Sequence, residues 1–196
     1  MSSEAAVAQN TISSSPSTGS SSLGSAAGPL GYLALGLTLL AFGLLGTGVL
    51  NDAGVKDAGS LALFVGGLTL FIAGLLEFRG GSAVTGTAFT ALGAFWVTWA
   101  EASPASKDAT ALFLILWALL ALTLTATHWL GGDLVRGVYA LFTVALVLLA
   151  VSTLASNDTV GKVGGWVAAV AGLLAWYSAT SALAGGSWGR LTLPVR

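Results

Sequence analysis

Six stretches of about twenty apolar residues, with breaks of only a few residues between them, dictate most of what this chain of 196 residues can become. They run over about residues 30–50, 58–78, 84–101, 109–130, 134–155 and 160–184, each closed by Gly, Pro, Asn, Asp or a charge. A helix needs about 20 apolar residues to cross a bilayer core, whereas strands are far shorter, so these runs read as spans. Hydrophobic residues make up 55% of the chain and charged ones 8%, too little polarity to coat a soluble globule of this size. Loops such as Asn51–Asp57 and Arg79–Ala83 are so short that successive spans must be antiparallel neighbours, with no room for a soluble domain. The expectation is an all-α integral membrane protein, a six-transmembrane-helix bundle over residues 29–196, with the lipid bilayer as its solvent.

Residues 1–28 are rich in Ser, Ala and Gly and contain neither Lys nor Arg. A secretory signal requires a basic start and an apolar stretch, so this segment is expected to be a disordered cytoplasmic tail. The seven Lys and Arg nearly balance the eight Asp and Glu, leaving no basic stripe for nucleic acid. The absence of cysteine excludes thiol catalysis, disulfides and thiolate metal sites. With six spans, Arg79, Arg136, Arg190 and Arg196 fall on the side of the tail and Lys56, Lys107 and Lys162 on the other. An even number of spans puts both termini on one side, and the Arg cluster near the end makes the cytoplasm the expected side of a multi-pass plasma-membrane protein.

The 27 glycines follow from the same solvent, because lipid gives no hydrophobic reward for helix association and close backbone approach must supply the contact. Gly86, Thr90 and Ala94 on the third span, and Gly161, Gly165 and Ala169 on the sixth, recur every four residues and are expected to be packing seams. Pro29 is expected at the start of the first helix, where its missing N–H costs little. Pro16, Pro104 and Pro194 lie outside the spans.

Ionisable groups at depth are few. His128 is the sole histidine and has no acidic residue a turn away, so no metal site assembles around it, and an interfacial role beside Trp129 is expected. Glu77, at the end of the second span, has two readings: an interfacial carboxylate, or a proton-sensitive group at the mouth of a path. Glu101 offers the same choice. Thr85, Thr87, Thr90 and Thr98 lie among small and aromatic residues of the third span. Hydroxyls at Thr87 and Thr90 can meet a solute or bond back to their own helix. Trp96 and Trp99 read as belt or packing residues. Neither a catalytic residue, a metal ligand set nor a cofactor motif can be assembled, so no enzyme is expected.

Particular strings add to this. Gly66-Gly67, the run Ala73 to Glu77 followed by Phe78-Arg79, and Thr87-Ala88-Phe89-Thr90 through Gly93, Phe95 and Trp96 resemble the acetate uptake transporter family, the SatP/YaaH-like proteins. Members carry a YGG, an AGLLE followed by an aromatic and a basic residue, and a TAFTSYGSFW. The family motif NPAPLGL is echoed by Pro29-Leu30-Gly31, and its terminal stretch by Gly165-Trp166, Tyr177, Gly189-Arg190 and Leu193-Pro194. Similarity therefore runs from about residue 29 to 195.

The resemblance implies a homo-hexamer in which each protomer has its own path for acetate and other small carboxylates such as succinate, by proton symport or as a channel. It implies a constriction at Leu35, Leu92 and Phe142. The sequence departs from the pattern at Ala26 and Ala27, where members have Asn and Pro, at Leu92 in place of Tyr, and at Leu70 in place of Gln. No Lys or Arg falls in the middle of a span, so a carboxylate must be met by backbone N–H groups or cross as the neutral acid. Backbone amides at Pro29, Leu30 and Gly31 form the expected mouth of the path, with Thr87 and Thr90 as candidate solute contacts. Two other readings stand: a channel for small neutral solutes such as urea or short amides, and a non-transporting subunit of a membrane complex.

Overall fold

The computed structural model describes residues 21–50, 52–53, 55–101, 106–128 and 133–187. Six long helices account for most of these: α1 Ser21–Thr47, α2 Gly59–Arg79, α3 Ala83–Glu101, α4 Lys107–Thr127, α5 Asp133–Ala155 and α6 Asp158–Ser187. The expectations for residues 1–20, for Trp129 and for Gly189, Arg190, Leu193, Pro194 and Arg196 lie outside the described residues. Five of the helices are long and apolar enough to cross a bilayer. The exception, α3, buries Phe89, Leu92, Phe95 and Trp96 in the centre of the bundle. A helix enclosed by protein has less need of an apolar surface than one facing lipid.

Around the bundle α2 lies between α1 and α3, and α6 between α1 and α5, with α4 against α5. The ring closes where α3 meets α4, through side chains rather than backbones: Phe95 stacks on Phe113 at 5.7 Å and meets Trp117 edge-on at 5.2 Å. Aromatic pairs bridge such a gap because each ring reaches well beyond its own helix.

Small residues set the other contacts. A Cβ added at Gly36 would lie 2.7 Å from the Trp176 nitrogen, and one at Gly172 would lie 2.8 Å from the Gly36 oxygen. Towards the other end, a Cβ at Gly165 would lie 2.9 Å from the Gly43 oxygen. Partners thus descend α6 as they climb α1, so the two helices are antiparallel and nearly backbone to backbone. The Gly86 and Thr90 seam faces α2, where Thr90 meets Gly74 and Gly86 meets the Phe78 ring. Ala94, expected on that seam, lines an external groove with Phe64, Leu68 and Phe71. Gly161 faces Ser152 of α5, whereas Gly165 and Ala169 face α1.

Helix ends follow local chemistry. Ser106 caps α4 by accepting from the Ala109 N–H at 3.2 Å, and Asn157 caps α6 by accepting from the Thr159 N–H at 3.0 Å. At the end of α2, Gly81 takes a φ of 86°, and the Ser82 N–H reaches back to the Glu77 carbonyl at 2.9 Å, a Schellman closure.

Pro29 is not where the sequence places it. Helix α1 begins at Ser21 and carries Pro29 inside it, ahead of the boundary expected at residue 29. Ala26 and Ala27 favour this: alanine is the best helix former, and no Pro interrupts residues 21–28. The helix therefore propagates upstream through them. The amides of Leu30 and Gly31 belong to the helix interior, so the expected anion site on a helix start at Pro29, Leu30 and Gly31 is withdrawn.

Candidate functional site

Odd-numbered helices run away from the tail end and even-numbered ones return, so residues on different helices fall into layers along one axis. In the middle layer stand Leu35 of α1, Leu92 of α3 and Phe142 of α5, exposed by 0%, 0% and 1%, within one core cluster. No side chain of this trio is polar. The expected constriction residues are thus brought into one core, each from a different helix.

Towards the tail end the next layer is Tyr32, Phe89 and Tyr139. Tyr32 meets Phe89 edge-on at 5.0 Å, and Gly31, the residue beside it, leaves the space that the Phe89 ring fills. Tyr139 is fully buried and its hydroxyl has no hydrogen-bond partner. The Tyr32 hydroxyl lies close to that of Tyr139, but the pair does not meet the geometry of a hydrogen bond. Below them the Glu77 carboxyl, exposed by only 6%, is met by the Ser82 side chain and lies beside Gly28. Arg79, two residues on, is exposed. Glu77 is therefore a buried residue at the end of the bundle, close to Tyr32. His128 completes this end: its Nδ1 lies 2.8 Å from the Leu124 carbonyl and its ring 5.1 Å from that of Tyr139.

Beyond the middle layer, towards the far end, come Trp96 and Thr38, then Phe42 and Trp99. Trp96 is a packing residue, fully buried and edge-on to Phe42 at 5.5 Å. Its indole nitrogen has no partner. The Thr38 hydroxyl is already committed, donating to the Ala34 carbonyl at 2.8 Å. Against both presses Gly66, where an added Cβ would lie 2.6 Å from Thr38 Cγ2 and 2.8 Å from Trp96 Cγ. Gly66 belongs to a π-helical turn of α2, Ala62–Thr69, a winding that recurs at functional sites.

Other expected contacts fall elsewhere. Thr87 is exposed on the outer face of α3, and Thr90 donates to the Gly86 carbonyl at 2.7 Å while packing on Gly74. Neither hydroxyl faces the central layers, because the packing face of α3 is set by Gly86 and Gly93. Leu30 points outward at 42% exposure, and Glu101 is exposed at the end of α3. The sequence analysis does not single out Tyr32 and Tyr139, yet each stands three residues before an expected constriction residue, Leu35 or Phe142, and so on the same helix face. The described cations stand near helix ends: Arg79 closes α2, Lys107 opens α4, Arg136 pairs with Asp133 at 2.6 Å in the first turn of α5, and Lys162 lies near the start of α6.

Known proteins share this arrangement. Over 145 residues the chain is 30% identical to the succinate-acetate/proton symporter SatP of Escherichia coli strain K12, covering 69% of this chain and 77% of that protein. The SatP protein of Shigella flexneri matches to the same extent. The fold is similar to the solved structure of the bacterial acetate channel SatP, with a TM-score of 0.81 and 26% identity over 87% of this chain and 98% of that one. These relatives are a symporter and a channel, not enzymes. Residues 13–195 match the GPR1/FUN34/yaaH family, and over so much of its length the chain belongs to that family.

Proposed function

We propose that the chain carries acetate and other small carboxylates, succinate among them, across the plasma membrane, and that the solute passes Leu35, Leu92 and Phe142 as the neutral acid. What supports this reading is that Leu35, Leu92 and Phe142 are buried in one core, carry no polar side-chain atom, and have no described Lys or Arg at their depth. A charged group at the centre of a bilayer costs about 2.5–3.5 kcal/mol even on the most lenient scale, and a carboxylate there would find no counter-charge. Protonation removes most of that cost and brings one proton with each acid, which agrees with the symporter name of the Escherichia coli relative. Tyr32, Tyr139 and Glu77 then form the polar end of the path, with Glu77 the group that responds to protons. Each protomer of a homo-hexamer holds its own path, and both termini face the cytoplasm.

Labelled acetate uptake into proteoliposomes at pH 5 and pH 7, with protein-free vesicles subtracted, tests the reading. At equal total acetate the neutral fraction of a simple carboxylic acid differs on the order of a hundredfold between these conditions. The protein-dependent rate should follow it. Equal rates at matched anion concentration would exclude passage as the neutral acid.

A second reading has one observation in its favour. Leu92 stands where family members carry Tyr, and a wholly apolar ring suits neutral solutes such as urea or short amides. Urea that competes with acetate as strongly as succinate does would favour it.

A further inference from the structure

We propose that the Trp96 indole Nε1 and the Tyr139 hydroxyl are two hydrogen-bonding stations for the carboxyl group of the solute, one on each side of the apolar ring. The assignment rests on the carboxylate reading above and names the side-chain atoms that would hold the solute. Both residues are fully buried; the Trp96 nitrogen has no partner, and the Tyr139 hydroxyl has only the Tyr32 hydroxyl nearby, outside hydrogen-bond geometry. Buried Trp and Tyr nearly always satisfy their polar ends, so two orphans in one bundle call for a cause.

Their positions supply one. Trp96 lies four residues beyond Leu92 on α3, and Tyr139 three residues before Phe142 on α5. Both helices run the same way through the bundle, so the two atoms flank the ring from opposite ends. At 1.5 Å per residue their layers are separated by roughly 10 Å. Between them stands the stretch of path that has no polar side chain. The chemistry matches as well. An indole N–H can only donate, so Trp96 requires an acceptor, whereas a phenol can donate or accept. A carboxylic acid offers a carbonyl oxygen to the first and either partner to the second. Thr38 cannot serve in place of Trp96, because its hydroxyl is held by the Ala34 carbonyl.

The test uses the full chain in proteoliposomes, with saturation curves of labelled acetate for the wild type, Trp96→Phe and Tyr139→Phe. Each substitution keeps the ring and removes one polar atom. Each is expected to raise the half-saturating acetate concentration about five- to tenfold, the loss of one hydrogen bond. Helix content and unfolding midpoint should not fall, since an unpartnered buried group has been taken away. Half-saturation equal to wild type in both variants overturns the assignment, as does an effect on urea flux alone. A wild type inert to acetate overturns the carboxylate reading, and the stations with it. Should either variant fail to insert, the wild type labelled with 15N-tryptophan in micelles answers instead. One of its seven indole N–H signals should move with acetate and not with chloride, and an unmoved spectrum overturns the assignment.

Discussion

Replacing Gly43 with Ala puts a single methyl into the closest helix contact of the bundle. The new Cβ would lie 2.6 Å from the Gly165 oxygen and 2.8 Å from the Ala169 Cα, and its neighbours are backbone atoms that no rotamer change can move aside. The Ala169 nitrogen lies closer still, so reaching ordinary contact at ~3.4 Å means parting α1 from α6 by ~1 Å locally. A gap of that size forfeits about a quarter to a half of each dispersion well along the seam, and ~20 atom pairs at ~0.15 kcal/mol each then lose ~1 kcal/mol. Residual overpacking adds about 1–3 kcal/mol. Against this, Ala exceeds Gly in helix propensity by about 1 kcal/mol. The net expectation is a loss of about 1–3 kcal/mol, which lipid does not offset, because the two faces gain nothing hydrophobic by meeting. Gly59→Ala is the control: nothing lies within 4 Å of the added Cβ, so propensity acts alone and stability should rise by a few tenths to about 1 kcal/mol. Reversible unfolding by SDS titration in mixed micelles, followed by far-UV circular dichroism, compares the two. If Gly43→Ala moves the midpoint in the same direction as Gly59→Ala, the close-approach account of this seam is wrong.

Three further substitutions probe the path and its frame. Leu92→Ala opens the apolar ring at a site with 0% exposure; it should admit larger carboxylates in a competition panel while costing about 2–5 kcal/mol of stability, and unchanged selectivity would place Leu92 off the path. Glu77→Gln keeps the shape of the single carboxylate buried among the described residues and removes its titration. The pH profile of acetate flux should lose one step, and an identical profile would leave Glu77 with no part in proton handling. Ser156, at φ 50° after the last turn of α5, holds a left-handed conformation that suits glycine. Ser156→Gly should stabilise the fold by about 0.5–1 kcal/mol in the same SDS titration, and a destabilised variant would mean that the Lys107 contact to its hydroxyl outweighs the backbone strain.

Bilayer physics made the helices legible. The third and fourth runs, read at about 84–101 and 109–130, became Ala83–Glu101 and Lys107–Thr127, because apolar length is what the solvent demands and capping residues such as Ser106 mark its limits. What could not be read was how each helix is wound or extended where several conformations satisfy the same solvent. Nothing in Ala62–Thr69 apart from Gly66-Gly67 announces a π-helical turn. The start of α1 was hidden for a related reason. Composition reads residues 21–28 as tail, yet Ala26 and Ala27 are strong helix formers and the helix runs through them.

The solute path divides along the same line. Leu35, Leu92 and Phe142 are marked out by resemblance alone; no pattern within this chain distinguishes them from the other residues of their shared core. The two readings open for Thr87 and Thr90, solute contact or a bond back to their own helix, cannot be separated in the sequence, because a hydroxyl on a helix of uniform apolarity carries no sign of which face it occupies. The glycines decide that: Gly74 admits Thr90 to the seam with α2 and so turns Thr87 outward. Once the seam is known, the interior face of α3 is Phe89, Leu92 and Trp96, and stepping back three residues from Leu35 and Phe142 gives Tyr32 and Tyr139. In a membrane helix the small residues thus locate the solute-facing side chains by exclusion, since the side packed backbone to backbone cannot be the side that lines a path. Gly36 and Gly43 do the same for α1: they bind it to α6 and leave Tyr32, Leu35 and Leu39 to face the centre.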